Sequence, residues 1–227
     1  MTKHLTTGFT FLAAGIAAVA FIAYGGSDDG GTTTGTTTGG TTTGGTTTGG
    51  TTTGVTGSTT GGGTTTGMVV AEGGYVTSGA WMGYAWTAAV PSTSSTITPA
   101  DFSGATAGGA LCVNGTVVGT ADYSAVAMLG LNVNQDSGGG VGSELTWTPT
   151  GSGIAYTVTN SGGSPLRIQI QGALEYAGNQ AWCAPLDGLS GTIPWSKFNS
   201  KCWDNSGTAY DMTPLKNVEV LVPGGTA

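Results

Sequence analysis

Ionisable side chains are scarce in this chain, which has one histidine, five lysines and arginines and twelve aspartates and glutamates among 227 residues. The only histidine, His4, is almost at the N-terminus, so the rest of the chain cannot build a Ser-His-Asp or Cys-His catalytic site. Five cations are too few to neutralise the phosphates of a nucleic acid or to dock on an anionic membrane surface. We therefore expect no nucleic-acid partner, and a membrane partner only through the N-terminal segment if that segment is not cleaved.

The carboxylates also lack a catalytic pattern. Glycoside hydrolysis needs two carboxylates facing each other across a cleft, but the acids at 136, 144, 175, 187 and 204 fall in no such motif, and several lie in predicted turns. Metal-ligand spacing of cysteine and histidine is absent as well. The sequence therefore predicts a protein that is not an enzyme and has no cofactor or metal. A structural calcium ion held by turn carboxylates is the one alternative left open.

Three segments divide the chain. Residues 25–67 are almost entirely threonine and glycine, and such a tract has no large apolar side chain to repay the entropy of ordering. We expect a flexible linker there, which its hydroxyl groups make a plausible target for O-glycosylation. Residues 1–24 form a leader before the linker, and residues 68–227 form one domain after it.

The leader has the pattern of a secretory signal. Lys3 and His4 give a basic start, residues 9–23 form an apolar run too short to span a bilayer comfortably, and residues 18–20 (Ala-Val-Ala) supply a cleavage site. This pattern predicts an N-terminal signal helix and a secreted or cell-surface protein. Residues 21–29 resemble the start of a bacterial lipoprotein, but Tyr24 stands where the lipid-bearing cysteine is expected. The resemblance therefore leaves the lipid anchor open.

All three cysteines lie in the domain. Cys183 and Cys202 flank a short segment, and each is adjacent to a tryptophan, Trp182 or Trp203. In an oxidising compartment these two cysteines are expected to form a disulfide, with Cys112 left in a strand. Three free thiols are the alternative.

Residues 68–227 alternate apolar and polar side chains between clusters of glycine, asparagine, serine and proline, which predicts an all-β, jelly-roll β-sandwich. The predicted strands are 81–88, 110–119, 125–135, 144–149, 154–159, 166–172, 191–194 and 217–222. Helix is limited to single turns at 194–199 and 212–215.

Alternation also predicts which side chains share a face. Three strands each have an aliphatic face, suited to the core, and an opposite polar face. The polar residues are Asn132 and Asn134 in the first strand, Arg167, Gln169 and Gln171 in the second, and Asn217 and Glu219 in the last. Such a face is either a ligand-binding floor or a solvated outer surface.

All six tryptophans lie in the domain, and aromatic rings stack on the apolar C–H faces of sugars. Trp147 alternates with Leu145 and is predicted to be a core residue, and Trp195 is predicted to be one by the jelly-roll resemblance given in the next paragraph. Trp81, Trp182 and Trp203 lie nearer turns and are predicted to be exposed platforms.

Residues 165–172 (PLRIQIQG), 192–198 (TIPWSKF), 202–204 (CWD) and 215–224 (LKNVEVLVPG) resemble strands of galactose-binding-like jelly rolls. Family 11 carbohydrate-binding modules and complex I intermediate-associated protein 30-like domains share this signature. The resemblance implies a ligand on the concave sheet, here its polar face. The predicted function is non-catalytic carbohydrate binding, and the alternative is a structural or adhesive surface protein whose domain packs against other subunits. The ligand-binding residues expected for a glycan or another surface ligand are Arg167, Gln169, Gln171, Asn132, Asn134, Trp81, Trp182 and Trp203.

Overall fold

A computed structural model describes residues 17–23, 68–91, 93–120, 124–174 and 180–224, with the first of these ranges described by its backbone alone. Within these residues the protein is built from antiparallel strands and two single 3-10 turns, which confirms the all-β prediction. The strands are β1 Ala17–Ala23, β2 Val69–Val70, β3 Tyr75–Ser78, β4 Trp81–Val90, β5 Thr96–Thr98, β6 Leu111–Thr116, β7 Ala125–Asn132, β8 Gly153–Asn160, β9 Arg167–Gly172, β10 Ala181–Pro185, β11 Ser190–Pro194 and β12 Leu215–Gly224.

Two sheets form a sandwich. The larger sheet has the strand order β10-β9-β12-β7-β4-β3-β2, and the smaller has the order β11-β8-β1-β6-β5. Aliphatic side chains from both sheets form one buried cluster between them. The larger sheet contributes Leu129, Leu131, Ile168, Ile170, Val218 and Val220, and the smaller contributes Leu111, Ile154 and Val158. Each of these side chains stabilises the fold by roughly 1.5–3 kcal/mol through removal of apolar surface from water.

The observed strands match most of the predicted ones, with one correction. Residues 144–149 do not form a strand, and only a single bridge from Trp147 to Leu215 occurs there. The turn at Trp195–Lys197 is helical as predicted. Residues 212–215 are not helical, because Met212 has a left-handed backbone with φ of 67°. Strands β2, β3, β5 and β10 were not predicted, since each has five residues or fewer and alternates too briefly to stand out.

The N-terminal strand is the main departure from expectation. A signal helix was predicted for the leader, but Ala17–Ala23 form a strand inside the smaller sheet, so the helix prediction is wrong for these residues. A short apolar run of alanine, valine, phenylalanine and isoleucine fits a buried strand as well as a helix. Here two sheet edges pair with its backbone, β8 on one side and β6 on the other. Export and signal cleavage stay predictions, and Tyr24 and the 25–67 linker lie outside the described residues.

Candidate ligand site at the edge of the polar sheet face

Strand order brings the predicted polar residues together. β12 lies between β9 and β7, and its register places Asn217 between Gln171 and Asn132 in one row across the sheet. In the next row Glu219 lies between Gln169 and Gly130. The larger sheet thus has a continuous polar face. Asn217 and Glu219, absent from the predicted ligand-binding set, are at its centre, although their alternation with Val218 and Val220 already indicated this face.

Much of this face is closed to a ligand by hydrogen bonds within the protein. Trp86 Nε1 donates to Asn132 Oδ1 at 3.1 Å, and Asn132 Nδ2 donates to Gln135 Oε1 at 2.8 Å. Asn134 Nδ2 donates to the Thr146 carbonyl at 2.7 Å, which fastens the loop that follows β7. Asn132 is buried and Asn134 half-buried. The side-chain amides of both predicted ligand residues are therefore already used in hydrogen bonds within the protein.

A buried carboxylate lies in the middle of the face. Glu219 has no solvent exposure, and Gln169 Nε2 donates to its Oε2 at 2.9 Å. Gln171 is buried beside it, and Asn217 Oδ1 is buried without a hydrogen-bond partner in the described part of the chain. Gln169 is half-buried. It is thus the amide through which this network approaches the surface.

The edge of the face presents an exposed ring beside a cation. Trp203 is 52% exposed, as predicted, and the guanidinium carbon of Arg167 lies 5.8 Å from the centre of its ring. A guanidinium at this distance from an indole face is attracted by the negative potential of the ring. A disulfide between Cys183 and Cys202, as predicted, ties the turn that carries Trp203 to β10. Cys112 is free and half-buried in β6. Trp203 is thus a half-exposed ring that follows a disulfide-bonded cysteine and contacts a guanidinium.

Trp81 and Trp182 were predicted to be exposed platforms, and both predictions are wrong. Trp81 is 1% exposed and packs edge-on against Trp147, with ring centres 5.6 Å apart. Trp182 is 6% exposed and packs on Tyr210 at 4.9 Å. A position near a turn does not expose a side chain that points to the core face of its strand. Trp195 is buried as predicted, and Trp147 is partly buried against the same cluster.

A cleft of about 530 Å³ lies beside the end of β10, and its lining includes Cys202, the residue before Trp203. Its polar lining includes Tyr156, Asp187, Ser190, Thr192, Lys197 and Asn205. Pro185 lines the cleft as well, and in the sheet register Pro185 is the residue of β10 opposite Arg167. Burial and, second, the nearby Asp187 carboxylate raise the pKa of Tyr156 above its usual value. A tyrosine hydroxyl is protonated at neutral pH even without this shift and can donate a hydrogen bond. No pattern in the sequence indicates this cleft, because the cleft depends on how β10, β11 and the turn after Cys202 come together.

In the described residues, no three histidine, cysteine, aspartate or glutamate side chains are grouped closely enough to hold a metal ion. The absence of a cofactor, with a structural calcium ion as the alternative, stays a prediction. Nor does any helix in these parts of the chain have the length and apolar character needed to cross a membrane. Comparison of the chain with protein-family models, curated proteins and solved structures finds no match.

Proposed function

We propose that this protein is an exported, non-catalytic domain of the galactose-binding-like jelly-roll type, and that it binds carbohydrate at the Arg167–Trp203 edge of its larger sheet. The observation that carries the proposal is the half-exposed Trp203 ring beside the Arg167 guanidinium. A pyranose ring stacks its C–H face on an indole, while its hydroxyl groups need charged or amide partners close by. Because the Arg167 guanidinium lies over the Trp203 ring, the sugar in this proposal stacks on the ring surface that is still exposed, and its hydroxyl groups meet the N–H donors of Arg167 at the ring edge.

The adjoining cleft extends this surface. Asp187 accepts hydrogen bonds, Lys197 donates them, and Asn205 does both, so the cleft offers partners for hydroxyl groups of either orientation. Its volume, about 530 Å³, is within the range of small-ligand sites. We therefore place one sugar unit on Trp203 and a neighbouring unit in the cleft. In this proposal the buried Glu219 and its half-buried partner Gln169 support the sheet beneath the site and do not contact the glycan.

Glycan-array binding of the purified full chain tests the proposal. For a glycan that binds, Trp203→Ala and Arg167→Ala are each expected to weaken affinity at least tenfold, about 1.4 kcal/mol, because hot-spot aromatic and arginine contacts cost that much or more. Trp203→Phe should retain part of the affinity by keeping an aromatic face.

Two variants away from the site serve as controls. Leu145→Ala removes another exposed apolar side chain, and Lys216→Ala removes another cation, which here faces Glu144. Both should bind like the parent chain. The proposal is wrong if no glycan binds, or if affinity is indifferent to both Trp203 and Arg167.

A structural or adhesive role, in which copies of the chain associate, is the second candidate. It is favoured by one specific observation, the central strand β1, which comes from the far side of a long linker. This strand carries the next inference.

A further inference from the structure

β1 occupies a slot that no other described strand fills. On one side β1 pairs with β8, with Ala17 opposite Asn160 and Ala23 opposite Ile154. On the other side it pairs with β6, with Ala17 opposite Val113 and Val19 opposite Leu111. β6 and β8 do not pair with each other in the described structure. Since neighbouring strands are about 4.8 Å apart, removal of β1 would leave a gap of roughly 10 Å between β6 and β8. The smaller sheet would then be split into two pairs of strands, β11 with β8 and β6 with β5.

The slot borders the core of the domain. Leu111 on β6 and Ile154, Tyr156 and Val158 on β8 are all buried members of the central cluster. An empty slot would expose them, together with two rows of backbone N–H and C=O groups that no longer pair. The domain therefore needs a strand at this position, and that strand must be apolar.

The connection to β1 is unusually long. The next described strand, β2, starts at Val69, so residues 24–68 separate the two strands, whereas typical connections have about four to six residues. Among the described strands, neither β6 nor β8 is next to β1 in chain order, so neither forms a hairpin with it. Residues 24–67 are almost entirely threonine and glycine. Fully extended, these 44 residues would reach on the order of 150 Å. That reach includes the same slot on a neighbouring copy.

We propose that β1 is an exchangeable strand, and that the slot between β6 and β8 accepts residues 17–23 of a second copy of this chain. The backbone pairing is identical whether the strand comes from the same chain or from another, as in domain swapping. A linker of this length gives a cis effective concentration of at most about 1 mM. Exchange therefore dominates where chains are packed more densely than that, and reciprocal exchange gives dimers while one-way donation gives longer assemblies. The proposal is independent of glycan binding, which uses no residue of β1.

The free cysteine offers a direct test, because Cys112 lies opposite Ala18 in the register. Opposite residues of antiparallel strands have Cα atoms about 4.5–5.5 Å apart, which is within disulfide range. The donor chain carries Ala18→Cys with Cys112→Ser and cannot cross-link to itself by this route. The acceptor is the parent chain with a different affinity tag. Donor and acceptor are refolded together above 1 mM with the Cys183–Cys202 disulfide intact, then mildly oxidised and separated on a non-reducing gel.

The expected product is a covalent heterodimer, whose yield falls when the same mixture is refolded at tenfold or greater dilution. A donor with Ile22→Cys and Cys112→Ser is the matched control, since Ile22 lies in β1 beyond the stretch paired with β6. It should give no heterodimer.

Three results would overturn the proposal. In the first, the single variant Ala18→Cys closes a disulfide within one chain while the mixture gives no heterodimer, which shows that the strand never leaves its own domain. In the second, no cross-link to Cys112 forms in any arrangement. In the third, N-terminal sequencing shows that the exported protein starts after Ala20, since no copy would then carry the whole strand.

Discussion

The indole ring of Trp86 lies directly across Gly130, its partner on the neighbouring strand, where an added Cβ would be 2.3 Å from ring atoms Cε2 and Cζ2. The glycine thus leaves room for the Trp86 ring to lie on the polar face. In this position Trp86 Nε1 donates to Asn132 Oδ1, and Asn132 Nδ2 donates in turn to Gln135 Oε1. The absence of a side chain at residue 130 is therefore what allows the Trp86 ring to pack at one end of the face.

Gly130→Ala is therefore expected to displace the Trp86 ring and lower the free energy of unfolding by about 1–3 kcal/mol, the usual cost of overpacking. Urea denaturation measures this change. Gly138→Ala is the matched control, because no atom of the described residues lies within 4 Å of a Cβ at that position. It should change stability by less than about 0.5 kcal/mol. Equal effects of the two substitutions would contradict the role given to Gly130.

A second prediction concerns the buried Glu219. Glu219→Ala removes the acceptor of the Gln169 Nε2 hydrogen bond and leaves a cavity under the face, so we expect a loss of about 2–4 kcal/mol in the free energy of unfolding. Lys216→Ala on the same strand breaks only the 3.7 Å ion pair with Glu144 and should cost at most about 1 kcal/mol. Chemical denaturation of the two variants compares them, and a Glu219 variant as stable as the Lys216 variant would refute the prediction.

Alternation in the sequence predicted the local geometry of the polar face but not its use. The side chains of β9 and β12 fall on the predicted sides, because a strand alternates whatever surrounds it. Burial of Asn132 and Gln171 depends on non-local features, namely the place of β12 between β9 and β7 and the loop that bonds to Asn134. The same reason explains Trp81 and Trp182, whose exposure depends on what packs over their strands.

The secondary structure of the leader could not be predicted from the sequence pattern. Residues 17–23 belong to the apolar run 9–23, which has no period that separates a helix from a buried strand, and their pairing with β6 and β8 decides between the two. The disulfide, in contrast, was predictable, because two cysteines close in sequence had few partners to choose from.

The disulfide provides a third prediction. Its two cysteines are 19 residues apart, and closing a loop of that size stabilises a fold by about 3 kcal/mol. The double substitution Cys183→Ala and Cys202→Ala should lower the free energy of unfolding by about 2–4 kcal/mol. It should also weaken glycan binding, because the turn that carries Trp203 loses its covalent tie to β10. Cys112→Ala is the control and should leave glycan affinity unchanged. If the double substitution also leaves glycan affinity unchanged, Trp203 is positioned without the disulfide.

A fourth prediction follows from Tyr210. Its ring is buried against Trp182 and its hydroxyl donates to the Thr213 carbonyl, and burial, then the Asp211 carboxylate, raise the pKa of the phenol well above 10. The unfolded chain therefore loses this proton at about pH 10, before the folded chain does. Above that pH the unfolded state binds fewer protons, so the free energy of unfolding falls as pH rises.

Tyr210→Phe should lose about 1 kcal/mol at neutral pH through the missing hydrogen bond. Above pH 10 its stability should fall less steeply than that of the parent chain, by up to about 1.4 kcal/mol per pH unit. Denaturation curves between pH 8 and 12 measure both slopes. Parallel slopes would mean that Tyr210 titrates alike in the folded and unfolded chains.

The last prediction tests the register of β1. Phe21 lies opposite the buried Tyr156, whereas Ala20 lies opposite the exposed Thr157. Directly opposite residues in a sheet share a face, so position 21 is on the face that carries the buried Tyr156 and position 20 is on the face that carries the exposed Thr157. A charge is costly only on the buried face. In chains that carry Ala18→Cys, the disulfide to Cys112 should be lost or reduced at least tenfold by Phe21→Asp and kept by Ala20→Asp. If both substitutions abolish the cross-link, acidity alone expels the strand; if neither does, the strand is not held by its core face. Only a difference between adjacent positions identifies a strand, because one residue along a strand moves a side chain from one face of the sheet to the other.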